Sequence, residues 1–200
     1  MARDFFEHKA DMYEQDDNRV LNVENIANSI IERVSLDRSM HLMDFGSGTG
    51  LLLERISPFV RKITAIDISK SMNHQLAQKR QGLGCELDIV EIDLVSTDFS
   101  EKYDGIISSM TMHHVKDIGA MFVKFYNLLN DDGIIAIADL DSEDGSFHAE
   151  DTGVYHYGFD RDVIIAAAKH ACFRDVEVVD ASAVHKPYGK FPVFLLTAKR

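Results

Sequence analysis

The hydrophobic pattern along the chain changes period several times. Val23, Ile26, Ala27, Ile30, Ile31 and Val34 recur three and four positions apart, which draws one apolar stripe along a helix before any strand begins. Short β-rich runs follow at residues 41–45, 63–66, 87–92, 105–109 and 134–138, and most are separated by segments with helical spacing. Ser69 has the place and chemistry of an N-cap for a helix carrying Met72 and Leu76. Residues 118–129 set Ile118, Met121, Phe122, Phe125, Leu128 and Leu129 on one face, and Asn130-Asp131-Asp132-Gly133 supplies the stop. Strand and helix in alternation predict a parallel sheet covered by helices on both faces. Toward the C-terminus, runs at 176–179 and 191–198 are joined by residues 180–190, which show no helical pattern, so these two strands are expected to pair antiparallel.

The long stretch 139–160 is acidic, contains glycine and keeps no period, so it is expected to act as a functional loop or lid. With no repeat or linker to divide them, the 200 residues are expected to form one domain. Its parts are a helical cover (1–38), a binding core (39–140), the loop (141–160), and a C-terminal helix and hairpin (161–200). The formal charge of −12 opposes a phosphate backbone, and no run of Lys or Arg offsets it, so nucleic acid is not expected as a partner. The first nine residues lack the apolar core of a signal peptide and no run is long enough to span a bilayer, which predicts a soluble, cytoplasmic chain. Cys85 and Cys172 stand alone and predict reduced thiols.

The chemistry concentrates at strand ends. Asp44-Phe45-Gly46-Ser47-Gly48-Thr49-Gly50 falls where the first strand gives way to a helix, a place where glycines allow close approach of a ligand and positive φ. Asp67 closes the second β-run and is placed to accept from both hydroxyls of a ribose, while Asp93 closes the third and is placed to reach an adenine amino group. Three such features at successive strand ends converge on one crevice. His113 and His114, just after the fourth strand, are candidates for a general base or for orienting a second substrate, and equally suit a capping turn. Asp139, Asp141, Glu143 and Glu150 lie near calcium-loop offsets. However, Gly145 is one place late and a strand rather than a helix precedes, so no metal is expected.

Taken in order, Asp-Phe-Gly-Ser-Gly-Thr-Gly, Ile-Asp-Ile-Ser, Glu-Ile-Asp-Leu and Tyr-Asp-Gly-Ile-Ile-Ser-Ser-Met-Thr-Met-His-His-Val resemble the motif set of class I S-adenosylmethionine-dependent methyltransferases. In particular they resemble the small-molecule branch that includes the ubiquinone and menaquinone methyltransferases. The resemblance covers about residues 40 to 140 and implies a Rossmann-like, doubly wound, seven-stranded and mostly parallel α/β sheet ending in an antiparallel β-hairpin. It implies S-adenosyl-L-methionine as cofactor and transfer of its methyl group to a small-molecule acceptor by in-line displacement. Asp44, Gly46, Ser47, Gly48 and Gly50 would then line the methionine part, Asp67 the ribose, Asp93 and Leu94 the adenine, with Ile68 and Met72 as apolar contacts to the ring. Ser109 and Met110 would lie near the reacting methyl, and Tyr13 would close over the donor. Two rivals remain open from the sequence. One is a protein that binds the donor without turning it over. The other is a nicotinamide-dependent oxidoreductase, disfavoured because the third glycine follows the second by two positions and no Tyr-x-x-x-Lys pair follows.

Overall fold

The computed structural model describes residues 10–148 and 153–200, with the backbone alone for Asp11. Glu150 and the first nine residues therefore lie outside the described residues. A 3₁₀ segment, Ala10–Gln15, leads into α1 (Asp17–Arg33), which begins where the Asp16 side chain accepts from the backbone N–H groups of Asn18 and Arg19. The alternating core follows as β1 (His41–Phe45), α2 (Leu51–Ile56), β2 (Lys62–Asp67), α3 (Lys70–Lys79), β3 (Glu86–Glu91), β4 (Tyr103–Ser109), α4 (Ile118–Leu128) and β5 (Leu129–Leu140). The chain closes with α5 (Arg161–His170), β6 (Arg174–Lys186) and β7 (Gly189–Lys199). Ser69 caps α3 as expected, accepting from Met72 N at 3.2 Å.

The seven strands form one sheet in the order β3-β2-β1-β4-β5-β7-β6, parallel except for β7, which pairs antiparallel with both β5 and β6. The pleat sends alternate residues to opposite layers. Leu42 packs into the layer of α1, α2 and α3 with Ile26, Ile30, Leu53 and Leu76, whereas Met43 packs into the layer of α4 and α5 with Phe122, Phe125 and Phe173. Each fully buried aliphatic or aromatic side chain contributes about 1.5–3 kcal/mol by leaving water.

Three expectations need correction. Asn130-Asp131-Asp132-Gly133 is not a turn outside the sheet: α4 ends at Leu128, and β5 starts at Leu129, which pairs with Tyr103, and runs through these residues. Residues 180–190 are not a connecting stretch: β6 runs on to Lys186, and only Pro187 and Tyr188 separate it from β7. The small and polar residues Ala181, Ser182 and Ala183 hid the strand, which lies at the sheet edge, is bulged between Asp180 and Ser182, and is packed on by α1. Asp139 likewise belongs to β5 rather than to the following loop, and it is fully buried.

At the end of α5, Cys172 sits at φ 72° while its N–H bonds Lys169 O at 3.0 Å, the left-handed closure that glycine favours. Cys172→Gly should raise stability by about 0.5–1 kcal/mol in denaturant unfolding, and a loss would show that the thiol packs usefully.

Candidate active site

Strand order reverses between β1 and β4, and a crevice opens there at the carboxyl ends of the parallel strands. It holds two adjoining cavities of about 460 and about 170 Å³, which share Tyr13, Gly46, Gly48, Ser109, Met110 and His114. The smaller is lined by Asp67, Ile68, Met72, Asp93 and Leu94, and the larger by Asp44, Ser47 and His113 among others. Of the residues expected to hold the donor or to act as the base, Gly50 alone lines neither.

The three loop glycines have separate reasons. All hold positive φ, 71° at Gly46, 53° at Gly48 and 87° at Gly50. A methyl added at Gly46 would lie 2.2 Å from the Thr111 side chain, and one at Gly50 2.5 Å from Leu76, so both are packing positions. At Gly48 nothing lies within 4 Å, because its α-carbon faces the open crevice. Gly50 therefore serves the turn and the seat of α3.

Asp67 fastens this loop. Its Oδ2 accepts from Gly48 N at 2.9 Å and its Oδ1 from Ser69 N at 2.8 Å. Asp93 folds back on its own turn, accepting from Val95 N at 3.0 Å and from the Ser96 hydroxyl at 2.8 Å. Lys124 of α4 pins the same turn by donating to Leu94 O at 2.6 Å and Thr97 O at 2.9 Å. Above the crevice the Arg19 guanidinium stacks 3.9 Å from the Tyr13 ring and donates to Tyr13 O, which holds the N-terminal segment over both cavities. Burial pushes the Tyr13 phenol up; Arg19 opposes this and Asp67 adds to it.

Asp44 is 1% exposed, and burial beside Asp67 pushes its carboxyl up to about 8. Its Oδ2, with Asn22 Oδ1, Ser47 Oγ, Thr49 Oγ1 and Ser109 Oγ, is buried with no hydrogen-bond partner among the described residues. All five residues line the larger cavity. Each such atom costs about 1–3 kcal/mol if left unmet. A ligand whose polar, zwitterionic end occupied this wall would recover that cost, so the residues present fit the amino-acid end of S-adenosylmethionine. Met110, between the two cavities, is held at φ 56°, a strained conformation for a non-glycine residue at a binding crevice.

On the opposite wall a 3₁₀ turn, Met112–His114, carries both histidines. His113 is buried; its Nδ1 lies 2.7 Å from Asp139 Oδ1, and its backbone N–H donates to Asp139 Oδ2 at 3.2 Å. The His113 and His114 rings stand 4.4 Å apart, and His148 of the 141–160 loop adds a third ring 5.2 Å from His113. Burial first, then neighbouring histidines, pushes both His114 and His148 down to about 4. A histidine held neutral in this way supports the fold above its ordinary value near 6.5, and the support fades as pH falls from there through about 4. His148→Gln should therefore flatten the loss of melting temperature between pH 6.5 and 4 by an amount worth about 1–3 kcal/mol; an unchanged slope would show that His148 is not desolvated.

The described residues of the long loop contribute two side chains to the site. Phe147 and His148 line the larger cavity, whereas Tyr155 and Tyr157 are exposed, and His156 bonds Val115 O at 3.0 Å. Among its described acids, Asp141 forms a two-pronged ion pair with Arg161 at 2.7 Å, and Glu143 accepts from Phe147 N at 3.0 Å. Sequence reasoning missed Asp16, Arg19 and Asn22, although their polar positions at the start of an amphipathic helix were a usable signal. It also missed Val184 and Lys186, which the edge strand hid.

Fold and site together define an α/β domain with a ligand-sized crevice at the point where strand order reverses. A family model described as a methyltransferase domain matches residues 20–184, and the chain belongs to that family. An uncharacterised methyltransferase of Schizosaccharomyces pombe is 26% identical over 189 residues, covering 86% of this chain and 66% of that protein. The malonyl-[acyl-carrier protein] O-methyltransferase of Acetivibrio thermocellus is 30% identical over 119 residues, 56% of this chain and 41% of that protein. The chain thus spans less than two thirds of the length of either relative. Among solved structures, magnesium protoporphyrin IX methyltransferase from Synechocystis with bound S-adenosylmethionine superposes with a TM-score of 0.69 at 15% identity, covering 99% of this chain and 94% of that one. At that identity the likeness is one of fold. Among the described residues no helix is long and apolar enough to cross a membrane.

Proposed function

We propose that the chain transfers the methyl group of S-adenosylmethionine to a small-molecule acceptor. The observation that carries this reading is the open face of Gly48 beside five unsatisfied buried polar atoms, continuous with the smaller cavity that Asp67 and Asp93 line. Asp67 takes the ribose hydroxyls, Asp93 and Leu94 the adenine edge, and Ile68 and Met72 pack on the ring. Asp44, Ser47 and Asn22 hold the amino-acid end, while Ser109 and Met110 flank the reacting carbon.

A bound sulfonium supplies an activated methyl group and a neutral thioether leaving group. The chain's task is therefore mainly alignment. His113 and His114 border the larger cavity, where they orient the acceptor or remove its proton. Phe147, Val23 and Val184 give that cavity an apolar wall suited to a small organic molecule. The charge of −12 argues against nucleic acid as acceptor, and the free Cys85 and Cys172 fit a reducing cytoplasm.

Calorimetric titration with S-adenosylmethionine, S-adenosylhomocysteine and NADH in parallel tests the reading. Micromolar binding of both sulfur nucleotides without NADH is the expected result, and binding of NADH alone overturns it.

A further inference from the structure

Resting on the methyl-transfer reading, we propose that Asp139 and His113 form a positioned acid–base pair, and that the acceptor is a small molecule bearing a hydroxyl, phenolic or enolic, which His113 deprotonates as the new bond forms. Asp139 is fully buried at the end of β5 and accepts three N–H groups: His113 Nδ1–H at 2.7 Å, His113 N at 3.2 Å and Leu140 N at 2.8 Å. An acceptor so saturated with donors fixes the imidazole tautomer, with the proton on Nδ1 and the lone pair on Nε2. His113 lines the larger cavity, so Nε2 is the nitrogen left to serve a ligand there. The turn is braced from behind, since His113 O accepts from Tyr155 N at 2.9 Å and His156 N at 3.2 Å.

A pair of this kind is superfluous for an acceptor already ionised in water, such as a carboxylate. It matters when the accepting atom holds its proton at neutral pH. Asp139 from β5, His114 from the same turn and His148 from the loop face His113, while Asp44, Lys186 and the ion pair Asp16–Arg19 line other parts of the cavity. Burial keeps His114 and His148 neutral, and Asp139 is engaged by its three donors, so this wall offers no spare anion to draw in an ammonium-bearing acceptor. The step balances: His113 Nε2 takes the hydroxyl proton, the oxygen forms the bond to carbon, and the carbon–sulfur bond breaks with its electron pair passing to sulfur. The imidazolium that results is offset by Asp139, which acts through His113 as a positioning residue.

The test uses the full chain, S-adenosylmethionine, and small phenols graded from acidic ones already ionised at the assay pH to weak ones with pKa ~10, with matched amines and thiols beside them. The wild type should methylate phenol oxygen. His113→Gln and Asp139→Asn should lose roughly 10²–10⁴-fold on the weak phenols and only a few-fold on the ionised ones, with unchanged donor affinity. Their rates on weak phenols should keep climbing tenfold per pH unit, where the wild type reaches a plateau. If either variant unfolds, the other carries the test. Equal losses on both classes of phenol would make the pair structural, and methylation of amines or thiols alone would overturn the hydroxyl assignment. Absence of donor binding would instead remove the methyl-transfer reading itself.

Discussion

Gly48→Val should abolish measurable donor binding while leaving the protein folded. The loop conformation at this position is left-handed, which a β-branched side chain adopts only under strain of about 1–3 kcal/mol. The added methyls would project into the one part of the loop where nothing lies within 4 Å, the space we assign to the donor. Loss of a close backbone approach together with direct occlusion predicts a Kd weaker by at least 10³-fold in calorimetry, with a modest fall in melting temperature. Gly46→Ala offers the contrast. Its methyl would meet Thr111 at 2.2 Å inside the packed loop, so its main effect should be on folding. Normal donor affinity in Gly48→Val would place the ligand elsewhere in the crevice.

Asp44→Asn should weaken donor binding by roughly 10²-fold and remove its pH dependence, because the wild-type carboxyl is buried beside Asp67 and titrates near 8. Binding an ammonium favours the ionised form. Below pH 8 the wild type must therefore release a proton to bind, and its affinity should rise with pH by up to tenfold per unit before levelling. Stability runs the other way. A carboxyl whose folded value is raised stabilises fully below its ordinary value near 4, and that contribution is lost as pH rises through about 8. Asn carries no such loss, so the variant should melt progressively higher than the wild type as pH goes from 5 to 9. Parallel melting curves would show that Asp44 is paired or hydrated in solution, and an unchanged affinity would free it from the donor's amino end.

Both expectations follow from burying a polar group without a protein partner. Asn22, Ser47, Thr49 and Ser109 share that condition on the same cavity wall. By contrast Ser108, one residue from Ser109, has its hydroxyl met by donating to Phe45 O at 2.7 Å. A wall of unmet groups beside a met one marks where the fold gives up stability for a ligand.

The glycine and aspartate edge of the crevice was legible in the chain because it depends on strand ends. A period-two run followed by glycine or aspartate fixes where the backbone leaves the sheet, so Gly46, Asp67 and Asp93 could be placed on one edge without knowing the sheet order. The histidine side of the crevice was legible only in part: His113 and His114 stood out after the fourth strand, but the groups that surround them come from residues distant in sequence. Asp139 shows why. In the chain it opens an acidic stretch and reads as a loop residue, but pairing of β5 with β7 extends the strand past it and delivers its carboxylate to His113, 26 residues earlier. Lys186 and Val184 were concealed similarly, because an edge strand packed on by α1 tolerates a polar and small-residue sequence that carries no β signal.

Local sequence thus determined most of the elements, the Ser69 cap, the glycine loop and the acids that follow it, since backbone conformation and hydrophobic period act over a few residues. Tertiary structure alone decided that Gly48 opens to the crevice while Gly46 and Gly50 pack, that Asp44 is desolvated, and that Asp139 holds His113. Each of those outcomes depends on which atoms another part of the chain brings within a few ångströms, and no local pattern encodes that.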